Sequence, residues 1–227
     1  MTTEELRKSL LAERKNGYTQ LTAEQRVEME AYCKRYMAFM DACKTEREAT
    51  TWTVETVEKY GFKELKRGME LNPGDKVYYN NRGKSILLAV IGSESLNWGA
   101  NICAAHVDSP RMDLKPNPLY EDSEIAYFKT HYYGGIKKYQ WVTIPLALHG
   151  VVCRKDGAVV TVNIGEDDND PVLYVTDLLP HLAADQMQKT GGQIIAGEQL
   201  NIVMGTEPLE GEGSDLVKLH VMKLLNE

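Results

Sequence analysis

The sequence predicts an α/β protein in which helices come first and strands follow. Three observations predict it. Apolar residues recur at helical spacing in the stretch before Gly61. From Asn72 the texture changes to short β-branched and aromatic runs set between turn signals. Prolines at 110, 116 and 118 then interrupt the chain just beyond Ser109. A boundary at Ser109 divides it into residues 1–109 and residues 110–227, the second part mostly β.

The chain opens on a polar arm. Thr22 with Gln25 three residues on reads as a capping box, because each side chain can satisfy a backbone N–H that the first helical turn leaves free. The helix it opens is expected over 23–44, with Val27, Ala31, Met37, Met40 and Ala42 on one face and charged residues on the other. The charged stretch KTEREAT leads to a shorter helix in TWTVETVEKY, closed by Gly61. KVYYNN and SILLAVIG, separated by NRGK, read as a hairpin. NICAAH reads as a further apolar strand that ends at HVDSPRMDLKPNPLYED, whose prolines argue against a continuing central strand.

Beyond the boundary, WVTIPLALHGVVCRKDGAVVTVNIG reads as two strands around an RKDG turn. EDDNDP is a polar loop, LYVTDLLPHLAADQMQ holds a short strand and a helix start, and QLNIVMG is a last strand. The segment DLVKLHVMKLLNE carries Leu216, Leu219, Met222 and Leu224 at helix-compatible spacing and stops without a cap, as though the chain continued.

Composition narrows the function. A 43% apolar content across 227 residues suffices for a core, and a net charge of -7 argues against nucleic acid and membrane surfaces, both polyanionic. No apolar run approaches the ~20 residues of a membrane helix, and the polar start lacks the apolar core of a signal peptide, so a cytoplasmic protein is expected. Cys33, Cys43, Cys103 and Cys153 show no CxxC spacing, which suggests neither disulfides nor a cysteine metal site.

The sharpest chemical feature is His106 followed by Asp108. On a strand, residues i and i+2 share a face, so an imidazole and a carboxylate would stand together where the strand runs out. That pair suits a metal: neutral imidazole binds Zn²⁺ at about 2.0–2.1 Å, and a carboxylate behind the ring fixes it. Alone, HxD also arises by chance, and a strand-end histidine is commonly just hydrogen-bonded.

The string AAHVDSPRMDLKP resembles the first metal-ligand motif of metallopeptidase family 18, the aspartyl-aminopeptidase family. THYYGGIKKYQWVTIPLALHGVV, NIGEDDNDPV and LLPHLAADQM are similar to that family's bacterial branch in the same order. With KTERE and GDKVYYNNRGK they extend the likeness over nearly the whole chain.

The resemblance implies the N-terminal part of an α/β/α zinc-peptidase domain, followed by an inserted β-rich dimerisation domain truncated before the catalytic domain resumes. It implies two zinc ions in the complete enzyme, with manganese or cobalt also compatible, a homo-oligomer, and release of N-terminal amino acids from peptides. Carried over, His106 is expected as a zinc ligand and Asp108 as the catalytic-site carboxylate that orients it. The family's other ligands and its general base lie in a later stretch that this sequence does not contain. A two-metal site needs more ligands than one histidine and one carboxylate supply. The chain is therefore expected to need a C-terminal half and to be inactive alone. The alternative is a non-catalytic oligomerisation module derived from such an enzyme.

Other candidates read as ordinary. His131, His149, His181 and His220 share no metal-ligand spacing, and Glu166, Asp167, Asp168 and Asp170 lack the pattern of a calcium loop. The aspartyl-specific branch carries a second histidine four residues after the one matching His181, where this chain has Asp185, which leaves the preferred N-terminal residue unassigned. Gly134 and Gly135 precede no phosphate-loop signature, and Cys103, at an odd offset from His106, would face away from it.

Overall fold

The computed structural model describes residues 1–12 and 14–226. They form two compact units, Met1–Ala100 and Asn101–Glu227.

The first unit holds three helices: α1 (Thr3–Leu10), α2 (Ala23–Ala42) and α3 (Glu46–Lys59). Each opens on the same device. The Thr2, Thr22 and Thr45 hydroxyls accept from the amides of Glu5, Gln25 and Glu48, whose side chains reach back to the cap amides. The middle box is the one the sequence predicts. The other two change the expected layout, since the polar arm begins as a helix and the charged stretch KTEREAT already belongs to α3. Gly61 follows α3 with φ +84, the left-handed geometry that a glycine adopts without strain after a C-cap.

The face of α2 expected to pack is open instead. Val27, Met37 and Met40 are exposed, and Phe39 meets Trp52 of α3 edge to face at 6.2 Å. The three-stranded sheet of this unit has the order β1 (Lys63–Glu64), β2 (Lys76–Asn81), β3 (Ser85–Val90). β2 and β3 form the expected antiparallel hairpin, with Val77 and Tyr78 buried.

Tyr78 ties this sheet to α3, because its hydroxyl donates to Glu58 Oε1 at 2.7 Å. That bond to a carboxylate pushes the phenol from 10.0 up to about 12. A folded-state value above the unfolded one favours the native state fully below pH 10, and the advantage is lost as pH rises through about 12. The denaturation midpoint of the natural chain is therefore expected to exceed that of Tyr78→Phe below pH 10 and to converge with it towards pH 12. A gap that stays constant across that window contradicts the assignment.

In the second unit, β4 (Arg111–Asp122), β5 (Ile125–Tyr133), β9 (Ile202–Gly205) and β8 (Tyr174–Val175) form an antiparallel sheet in the order β4-β5-β9-β8. β6 (Leu148–Cys153) and β7 (Val159–Ile164) pair separately around the expected RKDG turn, with Gly157 at φ +86. Leu200, Val175 and Ile202 join Phe128 and Ile195 in the main core. The short helix α4 (Ala184–Met187) lies between β8 and β9, and α5 (Leu216–Asn226) packs on β4, β5 and β9.

Three expectations change here. Pro116 and Pro118 do not end the strand: β4 runs through both, because it is an edge strand and its register against β5 shifts between Leu114 and Leu119. An edge with a bulge can spare the N–H that proline lacks. NICAAH is not a strand, since residues 99–110 lie outside any ladder and Ile102 is 86% exposed. A run of apolar residues becomes a strand only beside a partner, and among the described residues none pairs with it. On α5 the buried residues are Val217 and Val221, while Leu219, Met222 and Leu224 of the expected stripe face out. The helix is apolar on two sides, and spacing alone does not choose between them.

Candidate metal centre

His106 and Asp108 lie in the irregular stretch just before β4, yet they meet. The His106 Nδ1 stands 2.6 Å from Asp108 Oδ1 and 3.1 Å from the Asp108 carbonyl oxygen. Two acceptors facing one ring nitrogen place the proton on Nδ1 and leave the Nε2 lone pair outward. The His106 side chain is 80% exposed and that of Asp108 only 19%, so the carboxylate sits beneath the ring it braces. The pairing expected from strand alternation is achieved in a stretch that belongs to no ladder.

The sheet supplies what surrounds Asp108. Arg111, the first residue of β4, pairs across the ladder with Tyr133, the last of β5. Its guanidinium lies over the Tyr133 ring at 4.5 Å from the centroid. Nε donates to Asp113 Oδ1 at 2.7 Å, and Nη1 stands 3.7 Å from Asp108 Oδ2. The Tyr133 hydroxyl donates to the Asp108 carboxylate, which holds Asp108 below the usual carboxylate value and raises the Tyr133 phenol. The Arg111 guanidinium acts on Asp108 in the same direction.

Sequence reasoning singled out His106 and Asp108 but gave no role to Arg111 or Tyr133. The available signal was their place inside two quoted motifs, HVDSPR and THYYGG. Register alone shows that the two strings adjoin.

The remaining candidates have other partners. His149 Nε2 pairs with Glu166 Oε1 at 2.9 Å, and the His220 ring N–H donates to the Glu207 carbonyl at 2.8 Å. His131 stacks on Tyr132. Asp170 accepts from the Gly165 and Asp167 amides, which lower its pKa and make the acidic cluster a capped turn. Cys103 is an exposed free thiol. Among the described residues no three His, Cys, Asp or Glu side chains converge on a point where a metal could sit. The donor set thus fits a zinc ion by chemistry, as one imidazole nitrogen with a carboxylate behind it, but falls short by number.

Over residues 39–227 the chain matches the family model described as aminopeptidase I zinc metalloprotease (M18), which sets it among the metallopeptidases. It is 51% identical over 223 residues to a probable M18 family aminopeptidase 1 of Clostridium acetobutylicum and 45% identical over 217 residues to that of Thermotoga maritima. These matches cover 96% and 95% of this chain but 48% and 46% of the relatives. The crystal structure of an M18 family aminopeptidase from Thermotoga maritima superposes with a TM-score of 0.86 at 43% identity, covering 95% of this chain and 47% of the other. The chain belongs to the M18 aminopeptidase family and spans about half the length of the curated relatives it matches.

Proposed function

We propose that this chain provides the N-terminal half of a zinc-dependent aminopeptidase that releases N-terminal amino acids from peptides. One observation carries the reading: in a chain of this family, the His106 ring is fixed through Nδ1 by Asp108 and presents Nε2 to solvent. That is the posture of a metal-binding imidazole with its carboxylate support. His106 would hold zinc, and Asp108 would keep the ring in the Nδ1–H tautomer with Nε2 free for the metal. When bound, zinc polarises a scissile carbonyl and makes water a nucleophile near neutral pH. Manganese and cobalt suit the same ligand types.

On this reading, residues 1–109 begin the catalytic domain and residues 110–227 belong to an inserted β-rich domain that supports a homo-oligomer. The β6–β7 hairpin supports the latter, because Val152 and Val160, a cross-strand pair, stand exposed on its otherwise apolar face. The acidic composition and the free cysteines support a cytoplasmic setting. Among the described residues no helix is long and apolar enough to cross a membrane.

The remaining ligands and the general base would come from the other half of the family fold. The test is hydrolysis of an aminoacyl-p-nitroanilide with zinc present. The chain alone is expected to stay at the buffer rate. Mixing it with a separately produced second half of the Clostridium acetobutylicum relative is expected to raise that rate at least ~1000-fold. Turnover by the chain alone overturns the half-site reading. A mixture that forms a complex but stays at the buffer rate favours an assembly module.

A further inference from the structure

We infer that the outer edge of β3 is the surface on which the other half of the family fold docks, adding a strand through the amides of Ile86, Leu88 and Val90. The identity of the occupant rests on the half-enzyme reading, whereas the open edge stands by itself.

The ladder defines the edge. Among the described residues β3 has β2 as its only strand neighbour. The Ile91 amide donates to the Asp75 carbonyl at 2.9 Å, and the register runs unshifted from Val90 opposite Lys76 to Ser85 opposite Asn81. Antiparallel pairs alternate between bonded and unbonded positions, so the Ala89 and Leu87 amides face β2 while those of Val90, Leu88 and Ile86 point away from it. The Tyr78 carbonyl fixes the same phase: it accepts from the Leu65 amide on the β1 side at 2.7 Å, which leaves its partner Leu88 at an unbonded position.

A sheet edge that stays in water is kept short, bulged or charged, because a row of free N–H and C=O groups invites another strand. The other edges of the two larger sheets follow that rule. β1 and β8 are two residues long, and β4 carries Lys115, Pro116, Pro118 and a register shift. β3 has none of these devices, since SILLAV runs six residues without a charge or a proline. Leu87, Leu88 and Val90 stand exposed on it. A strand apolar on both faces suits the interior of a sheet, not its rim.

The occupant has to bring more than a strand. Tyr78 reaches α3 through Glu58, so α3 lies on that side of the sheet. On the opposite side Tyr79 and Leu87, a cross-strand pair, stand exposed. A second copy pairing edge to edge would extend the sheet and leave this face wet. About half the length of each curated relative lies outside the matched region, which is chain enough to supply both a strand and a covering layer.

The experiment reads residue-resolved amide hydrogen exchange in the chain alone and in its complex with the second half of the Clostridium acetobutylicum relative, co-expressed and captured through a tag on this chain. Alone, the Leu88 and Val90 amides are expected to exchange at least ~10-fold faster than those of Leu87 and Ala89. In the complex they are expected to slow at least ~10-fold. Leu88→Lys is expected to weaken capture at least ~10-fold while the Leu87 and Ala89 amides keep their protection, which separates loss of docking from loss of fold. Leu88 and Val90 amides that stay fast in the complex overturn the inference, even if that complex hydrolyses substrate. So does failure to capture a complex, or protection that grows with the concentration of the chain alone and so assigns the edge to a second copy. If the amides slow as expected but the complex stays at the buffer rate, the docking edge stands and the catalytic reading fails.

Discussion

In the two-half complex, His106→Ala is expected to lower turnover at least ~100-fold, and Asp108→Ala about 10- to 100-fold. The difference follows from what each side chain touches. On the proposed reading, removing His106 would delete a donor atom from a site in which three or four protein ligands share the work of holding a dication. Removing Asp108 leaves the donor but frees the ring to rotate and to carry its proton on Nε2, where the metal would have to displace it. The loss should therefore be recovered in part by excess zinc for Asp108→Ala and much less for His106→Ala. Equal, small losses in both would mean that the pair is a surface hydrogen bond. The assay is the rate of p-nitroaniline release across a zinc titration.

Leu200→Ala is expected to destabilise the second unit by about 2–5 kcal/mol. Leu200 is 0% exposed and packs among Phe128, Val175 and Ile202, where β5, β8 and β9 meet. Truncation removes three carbon atoms from a site with no solvent to fill it, and the neighbouring strands are bound by their ladders and relax little. The Leu200 carbonyl also accepts from the buried Thr130 hydroxyl, and a shift of this segment would strain that contact. Leu219→Ala, on the open side of α5, is expected to stay within about 0.5 kcal/mol. Thermal denaturation should show a fall of roughly 10 °C for the first and almost none for the second.

The local elements were legible because their causes are local. Thr22 with Gln25 marked a helix start, and the RKDG and NRGK turns placed both hairpins. Where a second element decides the outcome, the sequence misled. NICAAH has the composition of a strand, but no ladder beside it. Pro116 and Pro118 read as breakers until the strand that carries them proved to be an edge. The two apolar sides of α5 were indistinguishable until β4, β5 and β9 covered one of them.

The site divides in the same way. His106 and Asp108 are two residues apart, and a short motif exposes them. Tyr133 and Arg111 are 22 positions apart, and only the β4–β5 register makes them neighbours. Periodicity carries no information about a contact of that kind.

The most direct check is the crystal structure of the two-half complex with zinc, located by anomalous scattering at the zinc edge. The metal is expected at about 2.0–2.1 Å from His106 Nε2, with Asp108 still on Nδ1. Zinc on Nδ1, or a metal site in which His106 takes no part, would contradict the account.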